Sequence, residues 1–102
     1  MTSLGDILKL AREKKEMILR KVAAEVDIDQ SLISKFEKNE RKPTIEQLRR
    51  LGVFYTLSEK ELLISWHSDK IAEVLKNTES THEILTRAEK KIKEYKKQYN
   101  EK

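Results

Sequence analysis

The stretch Leu19–Lys38, LRKVAAEVDIDQSLISKFEK, decides the fold. Val22, Ala23 and Val26 mark one face of a short helix, and Ile33 and Phe36 mark one face of a second. Ile28 falls between them, in a turn opened by Asp27-Ile28-Asp29. Asp29 is placed to cap the second helix, because a short carboxylate there accepts hydrogen bonds from first-turn amides. Ala23 lies where the two helices cross closely, and a larger side chain would push them apart. The spacing predicts two short helices joined by a tight turn. The outward positions of the second helix are Gln30, Ser31, Ser34, Lys35 and Lys38, all polar and none acidic.

Working outward, Leu4, Ile7, Leu8 and Ala11 recur at helical spacing. They predict a preceding helix over about Leu4–Lys15, with Thr2 or Ser3 as its cap. The two central helices are expected over about Leu19–Glu25 and Gln30–Glu37. Asn39 tolerates the left-handed backbone that stops a helix. A basic loop, Glu40-Arg41-Lys42-Pro43, then leads to Thr44. Thr44 and Gln47 form a capping-box pattern for a helix over Ile45–Tyr55. Ser58 with Glu61 repeats the pattern before Glu59–Lys76, and Ser80 with Glu83 repeats it before Thr81–Tyr99. No convincing strand alternation and no internal repeat occurs. The expectation is an all-α chain with a boundary near Leu57, residues 1–57 forming the compact N-terminal domain core and 58–102 supplying C-terminal helices.

Composition narrows the function. With 102 residues, 37% of them hydrophobic, the chain can build a small core but not a large enzyme-type pocket. Twenty-two Lys and Arg against 18 Asp and Glu give a net charge of +4, which permits nucleic-acid binding without requiring it. Cysteine is absent, which excludes disulfides and thiolate metal sites. No apolar run approaches the ~20 residues of a membrane span. Asp6 and the charges from Lys9 onward break any secretory pattern, so a soluble cytoplasmic protein without a membrane partner is expected. His67 and His82 lack companions at metal-ligand spacing. With no phosphate loop, nucleophile–base set or paired-carboxylate pocket either, no metal, no cofactor and no enzymatic activity are expected.

Leu4-Gly5, Val22-Ala23, Val26-Asp27-Ile28, Ile33-Ser34-Lys35-Phe36-Glu37, Asn39-Glu40-Arg41-Lys42-Pro43-Thr44 and Leu48 together carry a resemblance. Over about Leu4–Leu63 the chain resembles the Cro/lambda-repressor, or XRE, family of bacterial and phage helix-turn-helix regulators. The resemblance implies a five-helix lambda-repressor-like DNA-binding domain, here followed by a C-terminal helical extension. It implies a recognition helix in the major groove and a dimer on a near-palindromic site. It also implies a structural ion pair between Arg12 and Glu37. Departures occur as well. Ile18 and Leu19 stand where the family usually has a Ser or Thr cap and a backbone-contacting Gln, so Arg20 or Lys21 is the candidate replacement for the lost phosphate contact. Glu16 and Asp27 stand where glycines are frequent.

The chemistry of the outward face then assigns roles. Glutamine can bond adenine bidentately and lysine can donate to guanine O6 or N7. Gln30, Ser31 and Lys35 are therefore the expected base readers. Arg20, Lys21, Ser34, Lys38, Asn39, Arg41 and Lys42 are expected to hold the DNA backbone. In the last third, Leu62, Leu63, Trp66, Ile71, Val74 and Leu75 exceed what a small domain covers. Leu85, Ala88, Ile92, Tyr95 and Tyr99 follow at the 3, 4, 3, 4 spacing of a heptad seam. A homodimer interface through Leu63, Trp66, Ile71, Val74, Leu85, Ile92 and Tyr95 is expected, with Trp66 as its anchor. The lysines between Lys90 and Lys97 read as a solvated helix face. The whole reads as a sequence-specific transcriptional regulator that binds double-stranded DNA, a repressor acting as a homodimer. The alternative is an antitoxin-type protein that binds a toxin through its C-terminal helices and regulates its own operon.

Overall fold

A computed structural model describes residues 2–100. It contains α1 (Leu4–Lys14), α2 (Leu19–Val26), α3 (Gln30–Glu37), α4 (Ile45–Tyr55), α5 (Glu59–Leu75) and α6 (Thr81–Asn100), with no strand among the described residues. Every boundary lies within one residue of its expected position, and at α1, α3, α4 and α5 side-chain caps mark the helix starts. Ser3 accepts from the Asp6 amide while the Asp6 carboxylate accepts from the Ser3 amide, closing a capping box on α1. Thr44 and Gln47 close the same box on α4 at 3.1 and 2.9 Å. At α5 the Ser58 hydroxyl accepts from the Glu61 amide. The box expected from Ser80 and Glu83 does not form among the described residues; Thr81 Oγ1 donates to the Thr78 carbonyl there instead.

The chain divides into two units, the first ending at Ile71 and the second beginning at Ala72. In the first, α1 and α2 each pack on α3 and α4. Leu4, Leu8, Val22, Val26, Ile28, Ile33, Phe36, Leu48, Leu51, Tyr55 and Leu62 form the buried core, with Ala23 packed against it. Two glycines permit its closest approaches. A Cβ on Gly5 would stand 2.6 Å from the Phe36 carbonyl oxygen, and one on Gly52 would stand 2.8 Å from Leu62 Cδ1.

The unit boundary lies about fourteen residues beyond the expected one at Leu57. The reason is packing: Leu62 is fully buried, and Leu63 and Trp66 pack against the same core. The first four turns of α5 therefore belong to the N-terminal unit. In the second unit α6 buries no residue, and only Ala88 is half-buried. Its apolar stripe is open, up to 64% exposed at Tyr95 and 83% at Tyr99. Glu89 and Lys93 pair at 3.6 Å along that helix. No helix of the described residues is long and apolar enough to cross a membrane.

Candidate nucleic-acid interface

The interface is built from the underside of α3 outward. Ile33 and Phe36 are buried, which turns Gln30, Ser31, Lys35 and Lys38 to solvent and leaves Ser34 half-buried. Asp29 caps the helix by accepting from the amides of Ser31 and Leu32 at 3.1 and 3.3 Å. The Ser31 hydroxyl also donates to that carboxylate. The Asp29 carboxyl is held below the usual aspartate range, chiefly by the Ser31 hydroxyl and then by the Leu32 amide.

Glu37, at the other end of α3, is buried, with 5% of its side chain exposed. It receives two parallel bonds from Arg12, Nε to Oε2 at 2.8 Å and Nη2 to Oε1 at 2.9 Å. Arg12 Nη1 donates to the Met17 carbonyl at 3.0 Å. One guanidinium thereby ties α1, the α1–α2 loop and the end of α3 together. The bonds to Glu37 raise the Arg12 pKa above its ordinary value, against the opposing effect of burial.

Asn39 has φ 61°, the left-handed conformation expected to end α3. The amides of Asn39 and Glu40 then bond back to the Phe36 and Lys35 carbonyls. The Asn39 side chain turns inward, a use the sequence reading did not foresee. Its Oδ1 accepts from the Gly5 amide at 3.0 Å and its Nδ2 donates to Ser3 Oγ at 2.9 Å. One amide hydrogen is left for any other partner. Arg41 and Lys42 are exposed in the loop that follows.

A family model described as helix-turn-helix, HTH_3, matches residues 8–62. The chain belongs to the Cro/C1-type helix-turn-helix family, the XRE family. It is a DNA-binding transcription regulator of the XRE type. No curated protein and no solved structure matches it.

Ile18 occupies the N-cap of α2 and makes no side-chain cap bond, so the first-turn amides of α2 lack the usual hydroxyl, while Arg20 and Lys21 beside them are exposed. Glu16 and Asp27 both have φ 54°, so each holds the left-handed backbone for which glycine is the easier choice. Arg50 of α4 compensates at the second of these turns, donating from Nη1 to the carbonyls of Val26 and Asp27, each at 3.0 Å. Nothing in the local spacing marks Arg50 for that role, because its partners lie 24 and 23 residues away.

The residues expected at a dimer interface separate into two groups. Leu63 and Trp66 pack against the core of their own unit, and Trp66 Nε1 donates to the Pro43 carbonyl at 2.8 Å. Ile71, Val74, Leu85, Ile92 and Tyr95 are exposed.

Proposed function

We propose that this XRE-type regulator is a repressor that works as a homodimer, occupying a near-palindromic operator and blocking polymerase without chemistry. The observation that carries the reading is the outer face of α3, polar and basic, held by a buried underside and by the bidentate Arg12–Glu37 pair. On this reading Gln30, Ser31 and Lys35 read bases. Lys38, Arg41 and Lys42 hold phosphates, aided by Ser34, by Arg20 and Lys21 at the uncapped start of α2, and by the free hydrogen of Asn39. The dimer forms through the exposed α6 seam of Leu85, Ile92 and Tyr95, with Ile71 and Val74. Leu63 and Trp66 serve the internal core first. A protein acting on chromosomal DNA in this way works in the cytoplasm.

Selection of bound duplexes from a random pool tests the reading. The expected product is an inverted repeat with half-sites one helical turn apart, ~34 Å. Gln30→Ala should then relax the preference at one base pair per half-site and cost ~1–3 kcal/mol. An unenriched pool would refute sequence-specific binding. Sedimentation equilibrium tests the dimer, and a monomer at micromolar concentration would refute it.

The open stripe on α6 also supports a second reading, an antitoxin-type protein that uses the stripe to hold a toxin. Substituting Ile92 and Tyr95 with Glu separates the two. Loss of self-association and of operator binding together supports the homodimeric repressor. Retention of both assigns the stripe to another protein.

A further inference from the structure

The family match ends at residue 62, and α5 runs on to Leu75. Trp66, Asp69 and Lys70 lie in that continuation, at positions i, i+3 and i+4 of one helix face. Two of them are anchored on segments far away in sequence. Trp66 Nε1 donates to the Pro43 carbonyl at 2.8 Å. Asp69 Oδ2 accepts from the amide of Leu4, the first residue of α1, at 2.9 Å. This part of α5 is therefore pinned both to the loop that follows the recognition helix and to the start of α1. Two lysines converge on the pinned indole. Lys42 Nζ, from the loop, lies 5.5 Å from the ring centroid, and Lys70 Nζ, from α5 itself, lies 5.2 Å from it.

We infer that Lys70 is a further DNA-phosphate contact, set beside Lys42 on a shared indole, and that Trp66 is the positioning residue for both. The inference rests on the reading of the Lys42 loop as a backbone-contacting element. Its physical basis lies in how the cations are held. A carboxylate partner would neutralise a lysine and take its hydrogens. An aromatic face attracts the ammonium through its quadrupole and leaves the charge and the N–H donors available. Two such ammoniums, carried by different elements and held at one ring, can each meet a phosphate of the same strand. The phosphates of one DNA strand recur every ~3.4 Å along the helix axis, close enough for neighbours to meet both cations. The Asp69 carboxylate is held at Oδ2 by the Leu4 amide, at the positive end of α1.

The test measures binding of the full chain to a mixed-sequence duplex as a function of salt. Each lost phosphate contact should lower the slope of log K against log salt by ~0.9 per protomer. Between 50 and 200 mM salt, the drop in affinity should then shrink by about 3.5-fold per protomer bound, or about 12-fold for a dimer, for Lys70→Gln, and equally for Lys42→Gln. The Lys70→Gln melting temperature should match that of the native chain. Trp66→Phe, which keeps a ring, should retain more of the slope than Trp66→Leu, which removes the platform for both lysines. A native slope for Lys70→Gln, with a reduced one for Lys42→Gln, overturns the inference and leaves the loop reading intact. Native slopes for both overturn the loop reading and the inference together.

Discussion

Replacing Arg12 with Met should unfold this protein far more readily than loss of a surface charge would. The substitution keeps the aliphatic stem and removes the three donors that hold two Glu37 oxygens and the Met17 carbonyl. Glu37 cannot turn to water, because only 5% of its side chain is exposed. Removing one partner of such a pair costs ~3–5 kcal/mol, since the other charge stays desolvated and alone. An exposed pair such as Arg49–Glu59, at 60% and 58% exposure, is worth only ~0–1 kcal/mol. For a domain of this size each kcal/mol moves the melting temperature by ~4–8 °C, so Arg12→Met should lower it by at least ~12 °C. Urea titration with linear extrapolation reads the free energy directly. The double replacement Arg12→Met with Glu37→Leu removes both charges and should lie near the native stability or above it. If that variant folds well but binds the operator weakly, the pair serves to aim α3. A cost below ~1 kcal/mol for Arg12→Met would refute the reasoning, and so would a double variant as unstable as the single one.

Three further outcomes follow from particular side chains. Gly5→Ala places a Cβ 2.6 Å from the Phe36 carbonyl oxygen and from Asn39 Oδ1, so it should cost at least ~1–3 kcal/mol in urea unfolding and weaken DNA binding by shifting the end of α3 against α1. Tyr55 has its pKa pushed up to about 12, first by burial and then by the Glu37 charge, against the opposing charge of Arg12. An unfolded tyrosine ionises near ~10; its contribution to stability is therefore complete below that pH and lost as the pH rises through about 12. Tyr55→Phe should remove this alkaline loss. At neutral pH it should cost less than ~1 kcal/mol, since Tyr55 Oη has no hydrogen-bond partner among the described residues. Thr56 is β-branched at φ 57°. Thr56→Gly should relieve ~1–2 kcal/mol of strain and lose ~0.5–1 to chain entropy, a net gain of ~0.5–1 kcal/mol that a lowered melting temperature would contradict.

The helices and the polar outer face of α3 are legible in the sequence because their causes are local. Apolar positions at 33 and 36 bury one face of α3, so its opposite face carries Gln30, Ser31, Lys35 and Lys38. Caps act over three residues, which is why Asp29 and Thr44 are readable as caps, while Thr2 and Ser3 are separated only by the structure, which uses Ser3. The Arg12–Glu37 pair spans 25 residues and came from family resemblance, not from spacing.

Asn39 and Trp66 show where that legibility ends. Asn39 was readable as a helix stop because left-handed backbone is a property of the residue itself. Its grip on Gly5 and Ser3 depends on α1 lying alongside, 34 and 36 residues away. Trp66 was readable as a large apolar residue in need of cover. The sequence leaves two covers open, a second copy or the chain's own core, and periodicity on one helix carries no information about which. In the fold its indole nitrogen donates to the Pro43 carbonyl at 2.8 Å, a partner 23 residues away. Short-range patterns prescribe which residues are helical and which way each helix faces. The partner of each face is a matter of three-dimensional closure, where contacts between distant segments compete for the same surface.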